Sequence, residues 1–186
     1  MTIFRRPTWK FRLPRRFRRD ESGAAAVEFG FVAMPFFALM FAIIETSMSF
    51  FTSQILETAV SDASRLLMTG QAQAASMTQQ QFKAKVCAPL PAFFDCQNTV
   101  QIDVRTYSSY SGSDMSRPIV NGQVNWGGSP VYQPGGPSEI VVVRAVYPMT
   151  TYTNFYGISL ANTSDGKMLL MASSAFRNEP FTGATP

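Results

Sequence analysis

From Ala24 to Ile44 the chain runs for twenty-one residues, AAAVEFGFVAMPFFALMFAII, with Glu28 as the single charge. A helix of that length rises roughly 31 Å, about the thickness of a bilayer's hydrocarbon core. A core helix of a soluble protein shows polar residues every turn or so, and this run shows almost none. It reads as a membrane span. Pro35 removes one backbone donor inside it and crowds the Phe31 carbonyl, which predicts a kink; membrane helices also tolerate such a proline without a functional hinge. A secretory signal has an apolar region of about 7–15 residues followed by a small-residue cleavage site. Here the run is longer and no such site follows, so removal of the whole span is not expected.

Charge sets the direction of crossing. The 186 residues carry 16 Lys+Arg and 12 Asp+Glu, a formal net charge of +4. Met1–Gly23 holds eight of the basic residues (Arg5, Arg6, Lys10, Arg12, Arg15, Arg16, Arg18 and Arg19) and two acids, whereas the remainder holds eight basic residues against ten acidic. The sequence pI near 9.3 therefore describes a head segment, and gives little support to nucleic-acid binding. By the positive-inside rule this head stays in the cytoplasm and Glu45 onward lies on the far side. The predicted organisation is a basic leader over 1–23, a transmembrane helix over 24–45, an amphipathic continuation over 46–70 and an α+β head over 71–186.

The continuation shows helical spacing: Met48, Phe51, Ile55 and Ala59, with Leu56, Ala63 and Leu67 on an adjoining stripe. Gln54, Glu57, Ser61, Asp62 and Arg65 fill the gaps, and Gly70 is placed as a C-terminal stop. One helix is predicted from about Ala24 to Thr69. Gln71–Met77 reads as a loop, and Thr78-Gln79-Gln80-Gln81 resembles a capping box opening a short helix that ends before Pro89 and Pro91.

Three strand-like runs follow. Thr99–Tyr107 alternates Val100, Ile102, Val104 and Thr106 with Gln101, Asp103 and Arg105; Glu139–Tyr147 is apolar through Val143, carries Arg144 and is closed by Pro148; Lys167–Phe176 ends at Arg177-Asn178. An antiparallel sheet packed on the second half of the long helix is the plainest burial of these faces. Between the first two strands lies 108–138, rich in Ser, Gly and Pro. A loop of that length is usually functional or mobile. Its aromatics, with Tyr107, Tyr110, Trp126 and Tyr132 foremost, either form a contact surface or pin the loop to its own domain.

The chain has no histidine, which excludes Ser-His-Asp and Cys-His triads and His-based metal sites. It also shows no P-loop, no paired Gly-rich nucleotide fingerprint, no G-x-S-x-G and no metal-ligand cluster, and its scattered carboxylates single out no acid/base pair. No enzymatic activity, metal or cofactor is expected.

Glu28 is the residue that asks for a reason, because a carboxylate at mid-bilayer costs about 2.5–3.5 kcal/mol on insertion scales. Glu45, at the opposite end of the span, is open to water and headgroups or to a helix-packing contact. Gly23-Ala24-Ala25-Ala26-Val27-Glu28-Phe29 behind a basic leader resembles the type IV prepilin processing motif. There a Gly precedes the cut, Glu is fifth in the mature chain, and Phe or Tyr often follows in the Flp branch. Cutting after Gly23 would create an ammonium on Ala24, about 6 Å along the helix from Glu28. In packed subunits the Glu28 carboxylate of one chain could pair with the Ala24 ammonium of the next and fix the axial register.

With that stretch extended to Glu21, together with Met34-Pro35, Ile43-Ile44-Glu45, Leu56-Glu57-Thr58-Ala59, Ala63-Ser64-Arg65-Leu66 and the tail Phe176–Phe181, the chain resembles the TadE-like proteins of the tight-adherence (Flp) pilus machinery. The resemblance covers about 50 N-terminal residues, and the middle of the chain, roughly 98–165, adds little. It implies a minor pseudopilin or associated inner-membrane protein with its head in the periplasm. Prepilin peptidase, pilus-assembly proteins and other pilin or pseudopilin subunits are the implied partners. Cys87 and Cys96, nine positions apart on the exported side, are expected to form a disulfide there rather than separate thiols; a metal site would need two further ligands. The rival reading is an uncleaved, single-pass anchor whose head is a periplasmic binding or sensing module.

Overall fold

The computed structural model describes residues 22–155 and 158–181; most of the basic leader, Met1–Glu21, lies outside them. The chain divides into two units, Met1–Met40 and Phe41–Pro186. Helix α1 runs Ser22–Met68, continuous through Pro35. It stops at Gly70, which takes the left-handed conformation (φ 76°). A Cβ there would run into the Phe181 ring, so the tail packs where the helix ends. The Glu179 N–H donates to the Met68 carbonyl at 2.8 Å and caps the same terminus.

The second unit is α+β. Helix α2 (Gln71–Ala74) follows, where the sequence reading has a loop: its Ala and Gln residues favour helix, and Ala72 is buried in the core. Helix α3 (Gln79–Cys87) opens with the expected capping box, Thr78 and Gln81 each bonding the other's backbone. Helix α4 (Cys96–Thr99) leads into strand β1 (Gln101–Tyr107). A small hairpin, β2 (Ile119–Val120) and β3 (Gln123–Val124), interrupts the long loop. Strand β4 (Ile140–Thr150) is followed by β5 (Asn154–Phe155), β6 (Ile158–Ser159) and β7 (Lys167–Arg177). The main sheet has the order β1-β4-β7, antiparallel throughout.

Pro148 does not close β4, which continues to Thr150. The reason lies in the register. Strand β1 begins at Gln101 opposite Val146, so beyond Val146 that side of β4 is an edge, where proline's missing donor leaves no ladder bond unmade.

Alternation along the strands gives the sheet two covered faces. On one, Ile102, Val104, Val141, Val143, Ala145 and Ala172 meet Leu56, Ala59, Val60, Ala63 and Leu67 of α1, with Phe82 and Val86 of α3. On the other, Val146 and Leu169 pack against Trp126, with Ile119 and Val124 of the hairpin. Fully burying one Val, Leu or Phe side chain contributes about 1.5–3 kcal/mol, so each face is a substantial anchor. The aromatics of the long loop divide accordingly. Trp126 is 7 % exposed, Tyr132 packs against the main core, and Tyr110 remains outside at 53 %. Segment 131–133 also hydrogen-bonds along the free edge of β1 through Val104.

The stripe in the first part of the amphipathic continuation needs correction. Met48 and Phe51, expected on it, are exposed at 44 % and 53 %. The buried positions there are Glu45, Ser49 and Thr52, and from Leu56 onward the buried row becomes apolar. Apolar periodicity in this segment thus marks the outward side of the helix.

Candidate functional site

The cysteines are joined. Cys87 ends α3 and Cys96 opens α4, with their Cα atoms 5.6 Å apart. The bridge closes the turn through Pro89 and Pro91 over Phe94, which is fully buried.

Beneath the long loop lies a buried charge network. Asp103 and Arg144 stand directly opposite each other on β1 and β4, with side chains 0 % and 4 % exposed and 2.8 Å between charged atoms. Arg105 Nε donates to the same Asp103 oxygen at 2.9 Å, and the Val131 N–H donates to its other oxygen at 2.9 Å. Arg144 also reaches Asp114 at 3.2 Å and lies 5.2 Å from the Trp126 ring centroid. Burial opposes the Arg144 charge, but the hydrogen bond and charge of Asp103, with Asp114, outweigh it and hold the guanidinium above its ordinary range. Each of these charges has a partner, so the network fastens the loop to the sheet. Its signal in the sequence is Arg144 inside an apolar run, which demands a buried partner.

Glu45 is 7 % exposed. Its carboxylate accepts from the Tyr152 N–H at 2.8 Å, the Thr153 N–H at 2.7 Å, and the Thr153 hydroxyl. The partner of Glu45 is thus the loop after β4, where the sequence reading offered another helix as its packing contact.

In the first unit, Gly23 and Ala24 lie in the opening turn of α1, with Glu28 and Phe29 one turn further on. Ala24 and Glu28 are four positions apart and so share a face. A Cβ built on Gly23 would meet nothing within 4 Å. Glu28 is exposed, and among the described residues it has no hydrogen-bond or ion-pair partner. Around it, Val27, Phe29, Phe31, Val32, Met34, Phe36 and Leu39 are all exposed, Phe31 at 78 %. Such a surface in water would cost far more than the helix could recover. α1 is long and apolar enough to cross a membrane.

Residues 23–65 match the family model of the TadE-like protein. The TadE-like segment thus begins at Gly23, takes in Ala24, Glu28, Phe29 and Glu45, and ends in the part of α1 that packs on the sheet. No match was found among curated proteins or among solved structures. Among the described residues, no group of three or more His, Cys, Asp or Glu side chains could hold a metal ion.

Proposed function

We propose that this chain is a minor pseudopilin-like component of tight-adherence (Flp) pilus assembly, anchored in the inner membrane by α1 with its head in the periplasm. It is cut between Gly23 and Ala24 by a prepilin peptidase and acts by helix packing against pilin or pseudopilin subunits. The observation that carries the reading is the TadE-like match beginning at Gly23, on a helix whose large apolar side chains from Val27 to Leu39 are exposed. Glu28, without a hydrogen-bond or ion-pair partner among the described residues, is the residue that pairs with the new Ala24 ammonium of a neighbour. Each buried charge then answers the other, which offsets part of the cost of placing either in lipid. The head contributes protein contacts, and no catalytic step is assigned to it.

The test is Glu28→Ala in cells that carry the rest of the pilus machinery. Membrane insertion is expected to be retained, because a charge is removed from the span, while pilus output falls. Normal pilus output from a membrane-inserted Glu28→Ala protein would overturn the pairing role.

A further inference from the structure

The apolar surface of α1 continues past Ile44. Phe41, Ile43, Ile44, Met48, Phe50 and Phe51 are each 44–68 % exposed, and all belong to the second unit. Their neighbours Glu45, Ser49 and Thr52 turn inward. From Phe41 to Phe51 the outward side of the helix rises about 15 Å, enough to reach through an interfacial layer of a bilayer. Glu45 therefore falls about 9 Å short of the outer end of that surface, at a depth where a bare carboxylate is costly. The loop after β4 supplies what such a depth requires: two backbone N–H groups and a hydroxyl close on the carboxylate.

Those bonds bring the loop down to the same level. Tyr152 stands within one side chain's reach of Glu45, yet its own ring is 86 % exposed. From Ala145 to Ser164 the chain has no charged side chain. Tyrosine favours the boundary between lipid and water, where its ring is apolar and its hydroxyl stays wet.

We propose that the head touches the bilayer: Tyr152 and the outward residues Met48, Phe50 and Phe51 sit in the interfacial layer of the lipid, with Glu45 shielded by the Thr150–Thr153 backbone. The occupant of this surface is lipid, because its residues continue the apolar run of the sequence and the loop beside it, after β4, carries no charge. The inference rests on α1 crossing the membrane and is independent of pilus assembly.

The test uses full-length protein in lipid nanodiscs, spin-labelled in turn at Tyr152→Cys, Phe51→Cys, Phe36→Cys and Tyr110→Cys. The native cysteines are paired, so the label goes to the new thiol. Collision with dissolved oxygen, relative to a water-soluble nickel chelate, reports lipid exposure. At positions 152 and 51 the ratio is expected to be several-fold above that at 110 and closer to that at 36. A ratio at 152 and 51 equal to that at 110 places them in water and overturns the proposal. Labels there shielded from both reagents would mean that protein covers the surface, and would also overturn it. A water-like ratio at Phe36→Cys would instead defeat the membrane span itself. Position 51, on the helix and away from the Glu45 bonds, keeps the test valid where Tyr152→Cys disturbs the loop.

Discussion

Asp103 and Arg144 hold the head's second face through one ion pair removed from water. Replacing one partner leaves the other charge buried with only its outer partner, Arg105 for Asp103 or Asp114 for Arg144, so the loss approaches the ~3–5 kcal/mol of a broken buried pair. Asp103→Asn and Arg144→Met should each lower the free energy of unfolding in urea by that order. The double variant should lose less than the two losses added, since the orphaned charge is then gone. Asp114 is a milder case. Its hydrogen bonds to Ser116, and then the charge of Arg144, hold its carboxyl below the ordinary value of 3.8. A carboxylate depressed on folding contributes stability above its unfolded value and loses it as pH falls through the folded one. The melting-temperature gap between the wild type and Asp114→Asn should therefore be full at pH 6 and shrink below pH 4. Because the Asp114 side chain is 57 % exposed, the gap will be small, and a gap that grows in acid would contradict the pairing.

At the scale of elements, local signals were the readable ones. Thr78 with Gln81, Gly70, and the alternation of β1 each act on their own neighbours, so the helix start, the helix stop and the strand were visible in the sequence. Glu45 was not resolved in this way, because its partners Tyr152 and Thr153 lie more than a hundred positions away. Pro148 misled for a similar reason: whether proline ends a strand depends on where its neighbour β1 begins. Met48 and Phe51 misled because a 3.6-residue apolar repeat looks the same whether it faces a core or stays outside. The Cys87–Cys96 bridge was legible from spacing once the exported side was assumed. It closes a short loop between α3 and α4, and chain-entropy reasoning gives it about 2–3 kcal/mol. Cys87→Ser with Cys96→Ser should shift the urea midpoint down accordingly without changing the amplitude of far-ultraviolet dichroism. An unchanged midpoint would mean that the bridge adds nothing to stability.

For the whole molecule, the division of labour follows from where each kind of surface ends. The first unit offers an apolar helix on which Glu28 has no partner among the described residues. The second buries its polar and apolar groups around a three-stranded antiparallel sheet. The candidate residues of the helix, Gly23, Ala24, Glu28 and Phe29, could be picked out in the sequence because they fall within one seven-residue run. The head's partners were not, since they depend on surfaces assembled from distant segments. The central claim is that the chain is processed at Gly23–Ala24 so that Glu28 can meet a new ammonium. Intact mass and N-terminal sequencing of the protein extracted from its native membrane test it most directly. A mature chain beginning at Ala24 is the predicted result; a chain still beginning at Met1 would contradict it and leave a permanent anchor in its place.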